Sequence, residues 1–126
     1  SVLRSEDGGA RWTAVALHTT DDLFSVWSDG RDVWTVGRGG AMYRATDGVS
    51  FTRVNAGITD TLLSVSGNAR GVWIASVSGH LFHARPRSAR WALSPVRTDD
   101  DFTAVSAAPD GGVSVVGYWG TILASP

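Results

Sequence analysis

Two aspartates, Asp7 and Asp47, are the side chains of this sequence that most resemble a catalytic pair. Glycoside hydrolysis uses two carboxyl groups, one as general acid and the other as base or nucleophile. Each of these aspartates is followed by glycine, and aspartates in such turns readily accept hydrogen bonds from backbone amides. Their spacing of about 40 residues also equals the period of an internal repeat, which places them in different repeats. We therefore expect a structural role for both and predict no catalytic residue.

A second acidic group precedes three similar apolar segments. Its members are Asp21-Asp22, Asp60 and Asp99-Asp100-Asp101. Carboxylates at equivalent places of a repeat could form a ring that holds a cation or a basic partner, whereas solvated loops are the ordinary alternative. Calcium needs about six to eight oxygen ligands, and this spacing specifies no such cage.

The three histidines, His18, His80 and His83, do not have the spacing of a zinc site. Such a site needs about four ligands. His83 differs in type from its counterparts in the other repeats, so we expect no repeated role for it. We predict no metal and no cofactor.

Aromatic side chains without counterparts in the repeat are the best candidates for binding. Trp27 and Trp119 are both of this kind, and Trp119 follows Tyr118 in a glycine-flanked turn. The two rings of that turn could form a stacking platform for a sugar or a peptide, because exposed aromatic patches favour binding surfaces. Arg38 matches Tyr118 in the repeat and could join this surface. Our candidate binding residues are therefore Trp119, Tyr118, Arg38 and Trp27.

Short strands recur with a period of about 40 residues and must position these side chains. They alternate apolar and polar residues, as half-buried strands do. Four kinds of strand follow one another. The first kind lies at 23–27, 62–66 and 102–106, and the second at 33–37, 72–76 and 113–117. The third lies at 41–45, 81–84 and 121–125, and the fourth begins at Trp12, Phe51 and Trp91. The first kind of strand has a small residue at its centre, which suits a crowded inner position. These residues are Ser25, Ser64 and Ala104.

This order of strands predicts an all-β fold, a β-propeller segment of about three four-stranded blades. We expect one domain over residues 1–126, with repeats at approximately 12–50, 51–90 and 91–126 and a partial blade at 1–11. Known propellers have about four to eight blades, so three cannot close a ring. We therefore expect a homo-oligomer, with a six-bladed dimer favoured, or association with the rest of a larger propeller. In a dimer, the strand from Trp12 could complete the terminal blade of a second copy.

Composition narrows the classes of function. The formal net charge is −1, which gives no electrostatic case for nucleic-acid binding. Cysteine is absent, so disulfides and thiol chemistry are excluded. No apolar run approaches the ~18 residues that a membrane span requires. Because residue 1 is Ser and no signal peptide is visible, we expect a chain that has been processed or cut from a longer one.

One segment resembles a known motif. Residues 5–12 match the pattern Ser-x-Asp-x-Gly-x-x-Trp and resemble the Asp-box of BNR-repeat propellers. The resemblance implies a structural hairpin formed by Ser5, Asp7, Gly9 and Trp12, and a shorter second one formed by Asp47, Gly48 and Phe51. The third corresponding segment keeps Trp91 but has no acidic turn. The order of strands and turns over nearly the whole chain is similar to Ycf48-like photosystem assembly factors and related bacterial propellers.

The resemblance implies a non-enzymatic binding or scaffold module that mediates protein association or assembly. Two alternatives stay open: a carbohydrate-binding propeller that uses Trp119 and Tyr118, and a fragment of an Asp-box glycoside hydrolase. The compartment is not determined by the residues, although the resemblance favours an extracytoplasmic one. The ligand could be a protein or a glycan.

Overall fold

The computed structural model describes residues 2–15, 17, 19–86, 88, 90–94, 100–120 and 122–125. The chain forms thirteen short strands in these ranges. In chain order they are β1 (Val2–Arg4), β2 (Thr13–Val15), β3 (Leu23–Ser28), β4 (Val33–Gly37), β5 (Met42–Ala45), β6 (Phe51–Arg53), β7 (Leu62–Asn68), β8 (Gly71–Ser76), β9 (Leu81–Ala84), β10 (Ala92–Leu93), β11 (Phe102–Ala107), β12 (Val113–Gly117) and β13 (Ile122–Ser125). Two 3₁₀ turns, Arg38–Gly40 and Tyr118–Gly120, are the helical elements of the described chain.

The strands form four antiparallel sheets in which neighbours in sequence are neighbours in space. The N-terminal hairpin pairs β1 with β2, the first blade has the order β3-β4-β5-β6, and the second blade has the order β7-β8-β9-β10. The third blade contains β11, β12 and β13. The prediction of an all-β propeller segment is confirmed, with two four-stranded blades flanked by one sheet of two strands and one of three.

Apolar side chains between neighbouring blades form the core. Between the first and second blades, Trp34, Val36 and Met42 pack against the opposite face, whose buried residues are Leu62, Val65, Val72 and Ile74. The next core repeats this arrangement one blade later, with Trp73, Ala75 and Leu81 against Phe102, Val105, Val113 and Val115. The second blade therefore buries one face against the first blade and the other against the third.

Serine side chains connect the inner strands of adjacent blades. The Val65 amide donates a hydrogen bond of 3.1 Å to the Ser25 hydroxyl, and the Val105 amide donates one of 3.0 Å to the Ser64 hydroxyl. A third bond of 2.9 Å joins the Ala107 amide to the Ser66 hydroxyl. The inner strands of neighbouring blades approach too closely for large side chains, which explains the small residues that the sequence places there. The serine hydroxyls therefore satisfy amides that have no hydrogen-bond acceptor within their own sheet.

The two outward faces of the blade stack are open in part. Val26 is 62% exposed, whereas the equivalent valines Val65 and Val105 are 4% and 6% exposed between blades. At the other end Ile122 is 72% exposed, whereas its counterpart Met42 is fully buried. The described chain is therefore a partial propeller, and its completion by a second copy or by other blades stays a prediction. Among the described residues, no helix has the length and apolar character needed to cross a bilayer.

The serine bonds between blades can be tested with Ser64→Ala. This change leaves the Val105 amide, now paired at 3.0 Å, without its acceptor in a partly buried position. We expect the free energy of unfolding to fall by about 1–2 kcal/mol in urea titrations, because an unsatisfied donor keeps its desolvation penalty. Ser106→Ala is the matched control, since Ser106 occupies the position of Ser66 on the open face and is exposed. Equal effects of the two changes would contradict a role for these bonds in joining the blades.

Candidate functional site

One end of the propeller segment, which we call the turn end, gathers the candidate binding residues. It consists of the turns at 38–40, 77–80 and 118–120 and of the loops at 21–22, 60–61 and 100–101. Each turn is held against the loop of its own blade by a backbone bond, from Arg38 N to Asp22 O at 2.9 Å, from Val77 N to Thr61 O at 3.1 Å, and from Tyr118 N to Asp101 O at 3.1 Å. The three blades therefore present equivalent positions on one surface.

Glycine permits this close approach in the third blade. A Cβ atom added to Gly117 would lie 2.3 Å from the Asp101 carbonyl oxygen, a distance that no side chain allows. The turn after β12 is therefore fixed directly above the loop that starts β11.

Trp119 is the most exposed large side chain of the turn end. It is 92% exposed, and its neighbour Tyr118 is 58% exposed. Trp119 also has a left-handed backbone with φ of 60°, and it is the sole non-glycine residue of that kind in the described chain. The equivalent residue of the first blade is Gly39, whose φ is 65°. A bulky residue in this region is strained and packs against nothing here, so neither local folding preference nor core burial accounts for this tryptophan.

Arg38 is engaged within its own blade. Its Nε lies 3.0 Å from the Asp22 carboxylate, and its guanidinium lies 5.5 Å from the centre of the Phe24 ring. The second blade separates it from Tyr118 and Trp119, because the inner strand β7 packs between β3 and β11. The structure thus places Arg38 on the same end as the two aromatic residues but not in one cluster with them.

Two further acidic residues of this end, Asp21 and Asp60, are also paired within their blades. Asp21 accepts hydrogen bonds from the Tyr43 hydroxyl at 2.8 Å and from Arg53 at 2.9 Å, and these bonds, with the one from Tyr43 the larger cause, lower its pKa. The Asp60 carboxylate lies 2.9 Å from His80 Nδ1. Within the described residues, no group of three or more metal-ligating side chains occurs. His18 and Asp99, which we weighed as ligands, lie outside the described residues.

Trp27 lies elsewhere, between the first and second blades. It is half-buried beside their core, and a Cβ atom added to Gly67 would lie 2.6 Å from its ring. One side of Trp27 borders a cleft of about 160 Å³ that Arg44 and Asn68 also line. The structure does not bring Trp27 together with Trp119.

The expectation that His83 has no repeated role is wrong. Its ring stacks on Trp73 with centroids 4.4 Å apart and planes inclined by 13°. The strand register makes Arg44 its counterpart, and Arg44 lies 5.1 Å from the ring of Trp34 in the same way. Sequence reasoning missed this role because histidine and arginine differ in type, although both present a flat polar group to a tryptophan.

The two turns that resemble an Asp-box use their aspartates internally. Asp7 Oδ1 accepts from the Arg11 amide and the Ser5 hydroxyl, both at 2.9 Å, and the Gly9 amide donates to the Ser5 hydroxyl at 2.8 Å. These bonds, above all the one from the Arg11 amide, lower the pKa of Asp7. Trp12 closes the turn by donating from Nε1 to the Gly9 carbonyl at 3.0 Å.

The second of these turns is tighter. Asp47 Oδ1 accepts from the Ser50 amide at 2.7 Å and the Val49 amide at 2.9 Å, and these bonds lower its pKa to about 2. Gly48 has φ of 79° in the turn, and Phe51 begins the next strand. Asp7 lies in the N-terminal hairpin and Asp47 in the first blade, and each carboxylate is held by the amides of its own turn.

Sequence reasoning missed the Asp22–Arg38 ion pair. The sequence contained a signal for this pair. Acidic residues precede the inner strands of both the first and third blades, and an arginine follows β4 where a tyrosine follows β12. Only the backbone contact between turn and loop shows that these positions meet.

The fold is similar to that of two solved structures of Ycf48. The structure described as Ycf48 bound to D1 peptide has a TM-score of 0.76 and 20% identity, with 90% of this chain and 40% of that chain covered. Ycf48 from Cyanidioschyzon merolae has a TM-score of 0.78 and 19% identity, with 97% of this chain and 43% of that chain covered. This likeness confirms, at the level of the fold, the propeller resemblance noted in the sequence.

The chain spans about two fifths of the length of these two propellers. No protein-family model matches the chain, and no curated protein matches it either.

The hydrogen bonds of Asp47 predict a specific dependence of stability on pH. Its folded pKa of about 2 lies below the ordinary value of 3.8, so its ionised form stabilises the fold above about pH 4 and the contribution is lost as the pH falls towards 2. Asp47→Asn keeps the acceptor oxygen but removes the charge. We expect the difference in unfolding free energy between wild type and this variant to shrink between pH 4 and 2.

Asp47→Ala is the control for this change. It removes the acceptor at every pH and should lower stability throughout the range. An Asn variant whose deficit is independent of pH would contradict the assignment of the turn bonds to the carboxylate.

The left-handed backbone at Trp119 makes a second prediction. Trp119→Gly should raise the free energy of unfolding by about 0.5–1 kcal/mol, because relief of the left-handed strain exceeds the entropy gained by the unfolded chain. Gly39→Ala, at the equivalent φ of 65° and with no atom near the added Cβ, should lower it by about 1 kcal/mol. Denaturant titration of both variants measures the two shifts, and a loss of stability in Trp119→Gly would show that the tryptophan has a packing role.

Proposed function

We propose that this chain is a non-enzymatic protein-binding module that acts in association or assembly and binds its partner at the turn end. One observation carries the proposal: Trp119 is 92% exposed in a strained, left-handed conformation for which the first blade uses Gly39. Because of this exposure and this backbone conformation, Trp119 contributes neither core packing nor a favourable turn geometry to folding. Tryptophan and tyrosine are also the side chains that most often dominate binding energy at protein interfaces.

The surroundings of Trp119 suit a polypeptide ligand. Tyr118 extends the exposed aromatic surface, and the adjoining loop offers the carboxylate of Asp101 as a hydrogen-bond acceptor. Both rings are largely exposed, at 58% and 92%, which suits a protein interface better than an enclosed small-molecule site. The solved Ycf48 structure with a bound D1 peptide is a precedent for peptide binding by a propeller of this fold.

The two alternative functions have less support from the geometry. Asp7 and Asp47 each accept hydrogen bonds from the amides of their own turns, which is a structural role rather than the free acid and base pair that glycoside hydrolysis requires. Sugar binding would use the same Tyr118 and Trp119 rings, so it is an outcome of the test below. The open faces of the blade stack are a separate matter, and their coverage by a second copy or by a larger propeller stays a prediction.

A displayed library of random peptides, together with a glycan array, tests the proposal. We expect the chain to select a set of peptides and to leave the glycan array blank. Trp119→Gly should lose at least tenfold in affinity for the selected peptides, because interface tryptophans commonly contribute about 2 kcal/mol or more. Val49→Ala is the matched control and should bind normally, because Val49 is exposed in the turn between β5 and β6, at the opposite end of its blade.

Two results would contradict the proposal. Selection of glycans alone would favour the carbohydrate-binding alternative. Peptides that bind the Trp119→Gly variant as well as wild type would remove the turn end from the interface.

A further inference from the structure

The first and third blades have the same backbone at the turn end but carry different side chains there. In both blades, the turn after the second strand donates its first amide to the carbonyl of an aspartate, Asp22 or Asp101. In the first blade the turn then supplies Arg38, which pairs with the Asp22 side chain at 3.0 Å. In the third blade the turn supplies Tyr118 and Trp119 instead, which have no positive charge to offer.

The Asp22–Arg38 pair also has an aromatic component. The Arg38 guanidinium lies 5.5 Å from the centre of the Phe24 ring, so one cation contacts both a carboxylate and a ring. In the third blade Thr103 takes the place of Phe24, and the rings of the turn itself are exposed next to Asp101. The third blade thus retains a carboxylate and aromatic surface but lacks the cation that joins them in the first blade.

In the third blade, no described residue supplies a cation to Asp101. Across residues 100–120 and the other described ranges, the Asp101 carboxylate forms no ion pair. The turn end as a whole is acidic, because its described residues comprise five aspartates, one arginine and one histidine. The aspartates are Asp21, Asp22, Asp60, Asp100 and Asp101, and the other two residues are Arg38 and His80. Arg53, which pairs with Asp21, lies outside the turn end in β6. A basic ligand would therefore meet a favourable field before it makes any contact.

We propose that the turn of the third blade binds an arginine side chain of the partner polypeptide, between the Asp101 carboxylate and the rings of Tyr118 and Trp119. The partner's guanidinium takes the part that Arg38 plays inside the first blade. Arginine suits this place better than lysine, because its planar group can stack on a ring and pair with a carboxylate at the same time. This inference rests on the proposed function and specifies the chemistry of the segment that is bound.

The test uses an acetylated peptide, Gly-Arg-Arg-Gly-amide, and the same peptide with citrulline in place of both arginines. Citrulline keeps the length and planarity of arginine but has no charge. We expect chemical-shift changes at the Trp119 indole and at the Tyr118 and Asp101 amides in NMR titrations. Affinity for the citrulline peptide should be roughly five- to thirtyfold lower, since an exposed ion pair and an exposed cation–π contact are both lost.

Tyr118→Arg is the decisive variant, because it recreates the arrangement of the first blade. The new arginine should pair with Asp101 from within the chain and reduce binding of the arginine peptide as strongly as citrulline does. Val77→Arg is its matched control. It adds the same charge at the equivalent turn of the second blade, where Thr61 replaces the aspartate, and it should change affinity by no more than about twofold, as expected for an exposed charge without a close partner.

Asp101→Asn supplies an independent measurement. It should lower affinity for the arginine peptide and weaken the dependence of binding on salt, because the screened charge is gone. Preserved amide spectra for the rest of each variant would show that folding is intact.

Three results would overturn the arginine inference. Equal binding of the arginine and citrulline peptides, with both lost in Trp119→Gly, overturns the arginine inference and leaves the protein-binding proposal standing. Equal loss in Tyr118→Arg and Val77→Arg overturns it as well, because general charge would then explain the effect. Failure of the arginine peptide to bind at all also overturns it, and the peptide library then decides on the protein-binding proposal separately.

Discussion

The structure depends on the burial of each blade's face against the next blade. A four-stranded sheet of this size exposes apolar side chains on both sides and cannot be stable alone in water. The two interblade cores bury these faces by the same arrangement, in which a tryptophan and aliphatic residues of one blade pack on apolar residues of the next. Serine hydroxyls at the inner strands complete the contact, because they accept from amides where the blades are closest.

This constraint explains which residues vary and which recur. Positions between blades keep their character, as Val65 and Val105 or Trp34 and Trp73 do. Positions at the turn end are released from packing, because the backbone bond from turn to loop already holds them in place. The same scaffold can therefore carry an internal ion pair in one blade, a histidine–aspartate contact in the next, and exposed aromatic rings in the third. Binding function can change at such sites without a cost to the core.

The blade is also a useful internal reference. Because the first and third blades share one backbone, a difference between their side chains can be interpreted without a second protein. In the first blade, Arg38 pairs with a carboxylate of its own blade and Gly39 adopts the left-handed conformation without strain. Tyr118 and Trp119 of the third blade differ from these two residues in charge and in backbone preference. The departure has a physical cost at Trp119, where an L-residue occupies a left-handed conformation.

The sequence by itself determined the strands, their order and their grouping into blades, because alternation and the 40-residue spacing, roughly one propeller repeat, are local properties of the chain. It also indicated Trp119 and Tyr118, since they break the repeat. Only the tertiary structure decided which partners these side chains meet. The stacking of His83 on Trp73 and the contact of Arg38 with Asp22 join residues that lie 10 and 16 positions apart in the chain. Periodicity shows which face a side chain occupies, whereas its neighbour across the sheet depends on register and twist that no single strand contains.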